Sequence, residues 1–136
     1  MTAVRWDRYP TVASDARART WLTILADLGR APNTIDAYGR GLEEFLRFSH
    51  VVSAQAETAT RAHVAAYVRE LADRPAQRVP ELRQPGNGRG LSNATMQQRL
   101  TVVRLFYDYL IEEGVRTNNP VGRGRYTPGT GFWRTP

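Results

Sequence analysis

Apolar residues recur at helical spacing in four stretches of this chain, and nowhere do they alternate as a half-buried strand requires. That periodicity restricts the chain to an all-α fold in which each stretch buries one stripe. In the first stretch, residues 14–28, Trp21, Ile24, Leu25 and Leu28 share a face; Ser14 or Asp15 stands where a cap is needed, and Gly29 follows as a stop. The second, residues 33–49, follows Pro32, with Asn33 as the expected N-cap and Asp36 three residues on as a weak capping box. Its stripe is Ile35, Tyr38, Leu42, Phe45 and Leu46, with Asp36–Arg40 and Glu43–Arg47 as i,i+4 ion pairs on the opposite face. Gly39 and Gly41 are unexpected inside it, since each costs about 1 kcal/mol against Ala. Close approach of another helix or of a ligand backbone would account for them, and so would plain imperfection.

The third stretch, residues 60–73, turns Val64, Tyr67, Val68 and Leu71 inward, with Thr60 as its cap. The fourth and longest, residues 92–113, has the stripe Met96, Leu100, Val103, Tyr107 and Leu110. Val102, Leu105, Phe106 and Ile111 widen that stripe, which predicts burial on more than one side, and Gly114 ends the helix. The connections are uneven. A tight turn joins the first two helices, whereas residues 74–91 form a long loop with three Pro and three Gly. Loops of that length inside a compact domain are usually functional or disordered. From Thr117 onward periodicity disappears and the chain reads as a linker that still carries Phe132 and Trp133. The expected division is an N-terminal arm at 1–13, a helical domain at 14–116 and an unstructured linker at 117–136.

A chain of 136 residues is long enough to bury a real core as one domain. It has no cysteine, which excludes disulfides and thiolate metal or redox sites. All 19 basic residues are Arg, so every chemistry that needs a lysine is excluded; a GC-rich coding sequence produces the same bias. No apolar run is long enough for a membrane span, and the N-terminus is charged where a signal peptide is apolar, so a cytoplasmic location is expected.

The net charge of +6 is unevenly placed. Residues 1–73 carry nine Arg and nine acids, whereas residues 74–136 carry ten Arg and four acids. The excess sits in the 74–92 loop, which includes Arg78, Arg83 and Arg89, and in the 115–136 tail. Basic Gly- and Pro-rich segments attached to a neutral core point to a polyanion partner. No acid–base–nucleophile set accompanies them. His50 and His63 lack metal-ligand spacing and read as surface or capping residues, and Glu112 and Glu113 do not face each other on a helix. No catalytic residue, metal, cofactor or small-molecule substrate is therefore expected. The start of the fourth helix carries Asn93, Thr95, Gln97, Gln98 and Arg99, with Arg104 further along. Amides pair bidentately with adenine, Arg with guanine, and a helix N-terminus favours phosphate, so this is a set that could read a groove. An ordinary polar first turn has the same composition.

Two segments carry a family pattern. The second helix reads NTIDAYGRGLEEFLRF, with Thr34, Tyr38 and Leu42 at regular spacing. The fourth runs from Arg99–Leu100 through Arg104, Phe106, Tyr107, Tyr109 and Leu110 to Gly114 and then Asn119–Pro120. In this order they resemble the N-terminal SAM-like, core-binding domain of the tyrosine recombinase or phage integrase family, over about residues 14–121. The resemblance implies a four-helix SAM-like bundle that clamps duplex DNA at a recombination half-site. It makes Asn33, Thr34, Arg40, Asn93, Thr95, Gln97, Gln98 and Arg99 the contact candidates. It also implies that strand breakage through a 3′-phosphotyrosine belongs to a separate catalytic domain, before which this chain stops, so that the chain alone is not an enzyme. The long basic loop departs from the pattern and reads as an added phosphate-contacting arm. Double-stranded DNA is the expected partner, with self-association on DNA as a second. The alternative reading is a helical protein–protein module that mediates self-association.

Overall fold

The computed structural model describes residues 3–73 and 92–122. Five α-helices follow in order: α1 (Pro10–Ser14), α2 (Ala16–Asp27), α3 (Pro32–Val51), α4 (Arg61–Asp73) and α5 (Asn93–Glu112). Single 3-10 turns at Trp6–Arg8 and Ala56–Thr58 precede α1 and α4. No strand occurs among the described residues, and the four periodic stretches are α2 to α5. The all-α bundle is as expected. The long basic loop lies outside the described residues, as does the tail after Gly122.

Helix starts follow cap chemistry, with one correction. Asp15 Oδ1 accepts from the Ala18 N–H at 3.0 Å, Thr60 Oγ1 from His63 N–H at 3.3 Å, and Ser92 Oγ from Thr95 N–H at 3.1 Å. At α3 the expected cap, Asn33, is already inside the helix: Ala31 is the N-cap, with no side-chain bond, and Pro32 occupies the first turn. Proline suits that position because its φ is preset and its missing N–H would have had no helical partner. The helix therefore begins two residues earlier than the polar side chain suggests. Three helices end in the same way. Gly29 (φ +92°) closes α2 and Gly114 (φ +78°) closes α5, each followed by a backbone bond back to the last turn, Arg30 N to Leu25 O and Val115 N to Leu110 O. Ser53 does this for α3 at φ +58° without being glycine.

The core lies between α3 and α5. Leu42, Phe45 and Leu46 of α3 meet Leu100, Val103, Phe106, Tyr107 and Leu110 of α5, and α4 adds Val64, Tyr67, Val68 and Leu71. An aromatic cluster runs through it: Trp21 stacks on Tyr38 at 5.7 Å and meets the edge of Phe106 at 5.5 Å, while Phe45 packs edge-on against Tyr67 at 5.1 Å. On α2 the buried stripe is Ala18, Trp21, Leu22 and Ala26, with Leu25 at its margin; Ile24 and Leu28 are exposed. The sequence pattern rests on the large side chains, whereas the buried face also takes in Ala18 and Ala26.

Both glycines of α3 are explained by close approach. A Cβ at Gly39 would fall 2.6 Å from Cζ of Tyr9, and one at Gly41 would fall 3.3 Å from Val102 of α5. Residues before Ser14, expected to be an arm, pack into the bundle: Tyr9 and Val12 are fully buried. At the other end the chain stays docked past Thr117. Asn119 Nδ2 donates to Arg104 O and to Asp108 Oδ1, both at 3.0 Å, and Val121 is buried.

Candidate nucleic-acid interface

The close contact of α3 with α5 brings the exposed sides of both helices onto one face. Two grooves mark it. A smaller one, about 310 Å³, is lined by Ala37 and Tyr38 of α3 and by Ala94, Gln97, Gln98 and Arg99 of α5. The larger, about 760 Å³, is lined by Arg40, Glu44 and Arg47 of α3, by Arg8 and by Arg99 of α5. Arg99 borders both grooves.

Each arginine here is held by a carboxylate. Arg40 Nε lies 3.6 Å from Asp36 Oδ2, Arg47 Nε lies 2.7 Å from Glu43 Oε2, and Arg99 Nε lies 2.8 Å from Glu44 Oε1. Arg8 Nη1 adds a 3.3 Å contact to Asp36. The carboxylates are themselves anchored. The buried Tyr9 hydroxyl donates to Asp36 in a short hydrogen bond, and the buried Tyr67 hydroxyl donates to Glu44 at 3.1 Å. Glu43, expected on the solvated face, is instead buried; it accepts from the Thr11 and Val12 N–H groups at 2.9 and 3.0 Å. Those are first-turn donors of α1, so Glu43 caps a helix to which it does not belong. Alternation of charge along α3 showed the pair with Arg47 but carried no sign of α1.

The protonation preferences follow. The Tyr9 hydrogen bond, reinforced by Arg40 and Arg8, holds Asp36 below its ordinary value against the upward push of burial. Burial pushes Glu43 upward, but the Val12, Thr11 and Arg47 hydrogen bonds outweigh it and keep the carboxyl low. Tyr9 is pushed up to about 12 by burial and by the Asp36 charge. All three therefore keep one charge state across the neutral range.

The remaining candidates are dispersed. Asn33 is exposed in the first turn of α3, beside Arg5 and Arg8, and Thr34 next to it is half-buried. Asn93 and Gln98 are exposed, and Gln97 and Thr95 are half-buried. Thr95 is part of the α5 cap, its hydroxyl accepting from Ser92 Oγ at 3.0 Å. Arg104 Nε donates to Gly122 O at 2.8 Å and helps dock the C-terminal segment. Arg78, Arg83 and Arg89 lie outside the described residues. Arg8 and Arg47 are not among the contact candidates read from the sequence, although the pairing of Arg47 with Glu43 is read from it.

His63 is not a surface residue. It sits half-buried between Phe45 and Phe48, with Nε2 2.8 Å from Ser49 Oγ. Ser49 directs its hydroxyl proton to Phe45 O at 3.0 Å, so the ring nitrogen is the donor of that pair. Among the described residues no group of three His, Cys, Asp or Glu could hold a metal, and no helix is long and apolar enough to cross a membrane.

Residues 19–114 match the phage integrase N-terminal SAM-like domain. This chain belongs to that family. The SAM-like domain is 31% identical over 110 residues to the tyrosine recombinase XerD of Caulobacter vibrioides, covering 80% of this chain and 31% of that protein. It is 29% identical over 97 residues to the tyrosine recombinase XerD of Rhizobium meliloti, covering 71% of this chain and 26% of the relative. The chain thus spans about a third or less of the curated relatives it matches. No solved structure matches it.

Proposed function

We propose that this domain binds duplex DNA in site-specific recombination, clamping one side of a recombination half-site with α3 and α5. The observation that carries this reading is the single exposed face on which α3 and α5 place Arg40, Gln97, Gln98 and Arg99 together. Arginines there would hold phosphates, and the exposed amide of Gln98 suits a base edge. Arg78, Arg83 and Arg89 would add sequence-independent phosphate contacts. Strand breakage and rejoining would belong to parts of the recombinase relatives that this chain does not span. The test is the salt dependence of duplex binding. With about 4–6 phosphates neutralised, log affinity against log salt should fall with a slope near −4 to −5; a slope near zero would overturn the reading.

Self-association is the second reading. Ile24 of α2 and Leu28 at its C-terminal cap favour it, since they stand one turn apart and are 38% and 72% exposed. Sedimentation without DNA separates the two: a concentration-dependent dimer that binds no duplex would favour self-association.

A further inference from the structure

The three α3–α5 arginines share a pattern that the DNA-binding reading alone does not require. Arg47 and Arg99 are hydrogen-bonded through Nε, and Arg40 turns its Nε to Asp36 as a looser ion pair at 3.6 Å. Each of these carboxylates is fixed from behind by donors of the buried framework: the Tyr9 hydroxyl for Asp36, α1 backbone N–H groups for Glu43, the Tyr67 hydroxyl for Glu44. Engaging Nε leaves the far edge of a guanidinium, with Nη1 and Nη2, to offer two parallel N–H donors. That edge is the one that matches the paired oxygens of a phosphodiester.

Charge makes the geometry matter more. Among the described residues, Asp36, Glu43, Glu44 and Glu70 offset Arg8, Arg40, Arg47 and Arg99 around the larger groove. What such a groove offers a phosphate is directed donors. A long exposed side chain loses rotamer freedom on binding, and a guanidinium already clamped loses less.

We propose that Asp36, Glu43 and Glu44 are positioning residues that preset Arg40, Arg47 and Arg99 as bidentate donors to DNA phosphates, with Tyr9 and Tyr67 as the fixed ends of two of the three relays. This rests on the DNA-binding reading and adds to it acidic residues that favour an acidic ligand. A carboxylate that merely repelled phosphate would act in the opposite sense, which makes the proposal decidable.

The experiment is duplex binding, across salt, by the full chain and by Glu44→Ala, Glu44→Gln, Arg99→Ala and the Glu44→Ala/Arg99→Ala double variant, with thermal melts to confirm folding. Gln keeps an oxygen for Arg99 Nε and the Tyr67 hydroxyl while removing the charge. The expected result is that Glu44→Ala binds about 3- to 10-fold more weakly, the range set by freeing one long side chain. Glu44→Gln binds at least as tightly as the unaltered chain, and Glu44→Ala costs nothing further once Arg99 is Ala. If Ala and Gln variants bind equally, the carboxylate acts by charge alone and the proposal is overturned. A loss that persists without Arg99 also overturns it, because it would reflect damage to the bundle. If the unaltered chain shows no salt-dependent binding, the DNA reading itself has failed; if it does and Glu44→Ala matches it, only the relay has failed.

Discussion

The ring of Tyr9 lies on the bare Cα of Gly39, and its hydroxyl reaches Asp36 one turn earlier on the same helix. The missing side chain and the hydrogen bond serve one contact: the N-terminal segment is seated on α3 by a ring that only glycine admits. Replacing Gly39 by Ala would force a Cβ to within 2.6 Å of the ring. Gly39→Ala is expected to destabilise by about 1–3 kcal/mol despite its better helix propensity. Gly41→Ala meets Val102 at 3.3 Å, where a small shift suffices, and should fall within about 1 kcal/mol of neutral because the propensity gain offsets the crowding. Urea denaturation of the two variants side by side checks the contrast.

Ser53 closes α3 in a left-handed conformation that glycine adopts without strain. Ser53→Gly is expected to stabilise by about 0.5–1 kcal/mol, since relief of the Cβ clash exceeds the added freedom of the unfolded chain. Gly29→Ala, at φ +92°, should destabilise by about 1 kcal/mol. A rise in Tm for the first and a fall for the second is the measurement.

Stability should fall on the acid side of neutrality and not on the alkaline side up to pH 8. Asp36 and Glu43 favour their charged forms when folded, so their contribution is complete above their ordinary values of 3.8 and 4.5 and is lost as pH drops through the lower folded values. His63 is held below its ordinary 6.5 by burial, so the unfolded chain takes up that proton first, and stability declines as pH falls below 6.5. Melts from pH 8 to 3 should show a shallow decline beginning near 6.5 and a steeper one below 4.5. His63→Gln should abolish the shallow part and leave the steep one.

On duplex DNA, Arg40→Ala should weaken binding alike on all sequences and reduce the salt slope by about 1, whereas Gln98→Ala should change which sequences are preferred. The triple replacement of Arg78, Arg83 and Arg89 by Ala should also act uniformly. Titrations on two unrelated duplexes at two salt concentrations read all three outcomes.

Within residues 14–73 and 92–114 the helices were legible because their signals are local. Periodicity located α3, α4 and α5 to within a residue or two, and Asp15 and Thr60 announced their caps. What escaped depends on contacts distant in sequence. Nothing near Val12 indicates that Glu43, thirty-one residues on, accepts its N–H. A five-residue helix such as α1 is too short to display a period. At the interface, residue types on α3 and α5 suggested the face, but the pairing of Arg99 with Glu44 across 55 residues could not be read from spacing. Arg104 was grouped with the contact residues by helix and charge, whereas its bond to Gly122 depends on how the chain folds back after α5.

The tie between Glu43 and α1 separates the boundary at which this family becomes recognisable from the boundary at which the molecule becomes self-sufficient. The family match begins at residue 19, yet Tyr9, Val12 and the donors that cap α1 all precede it. A chain trimmed to the recognisable part would open the Glu43 carboxylate to water without its α1 donors, and α3 would lose the cover over Gly39. Cutting this chain at residue 19 would therefore break contacts that α3 relies on, and the unit that keeps them begins with the Trp6–Arg8 turn.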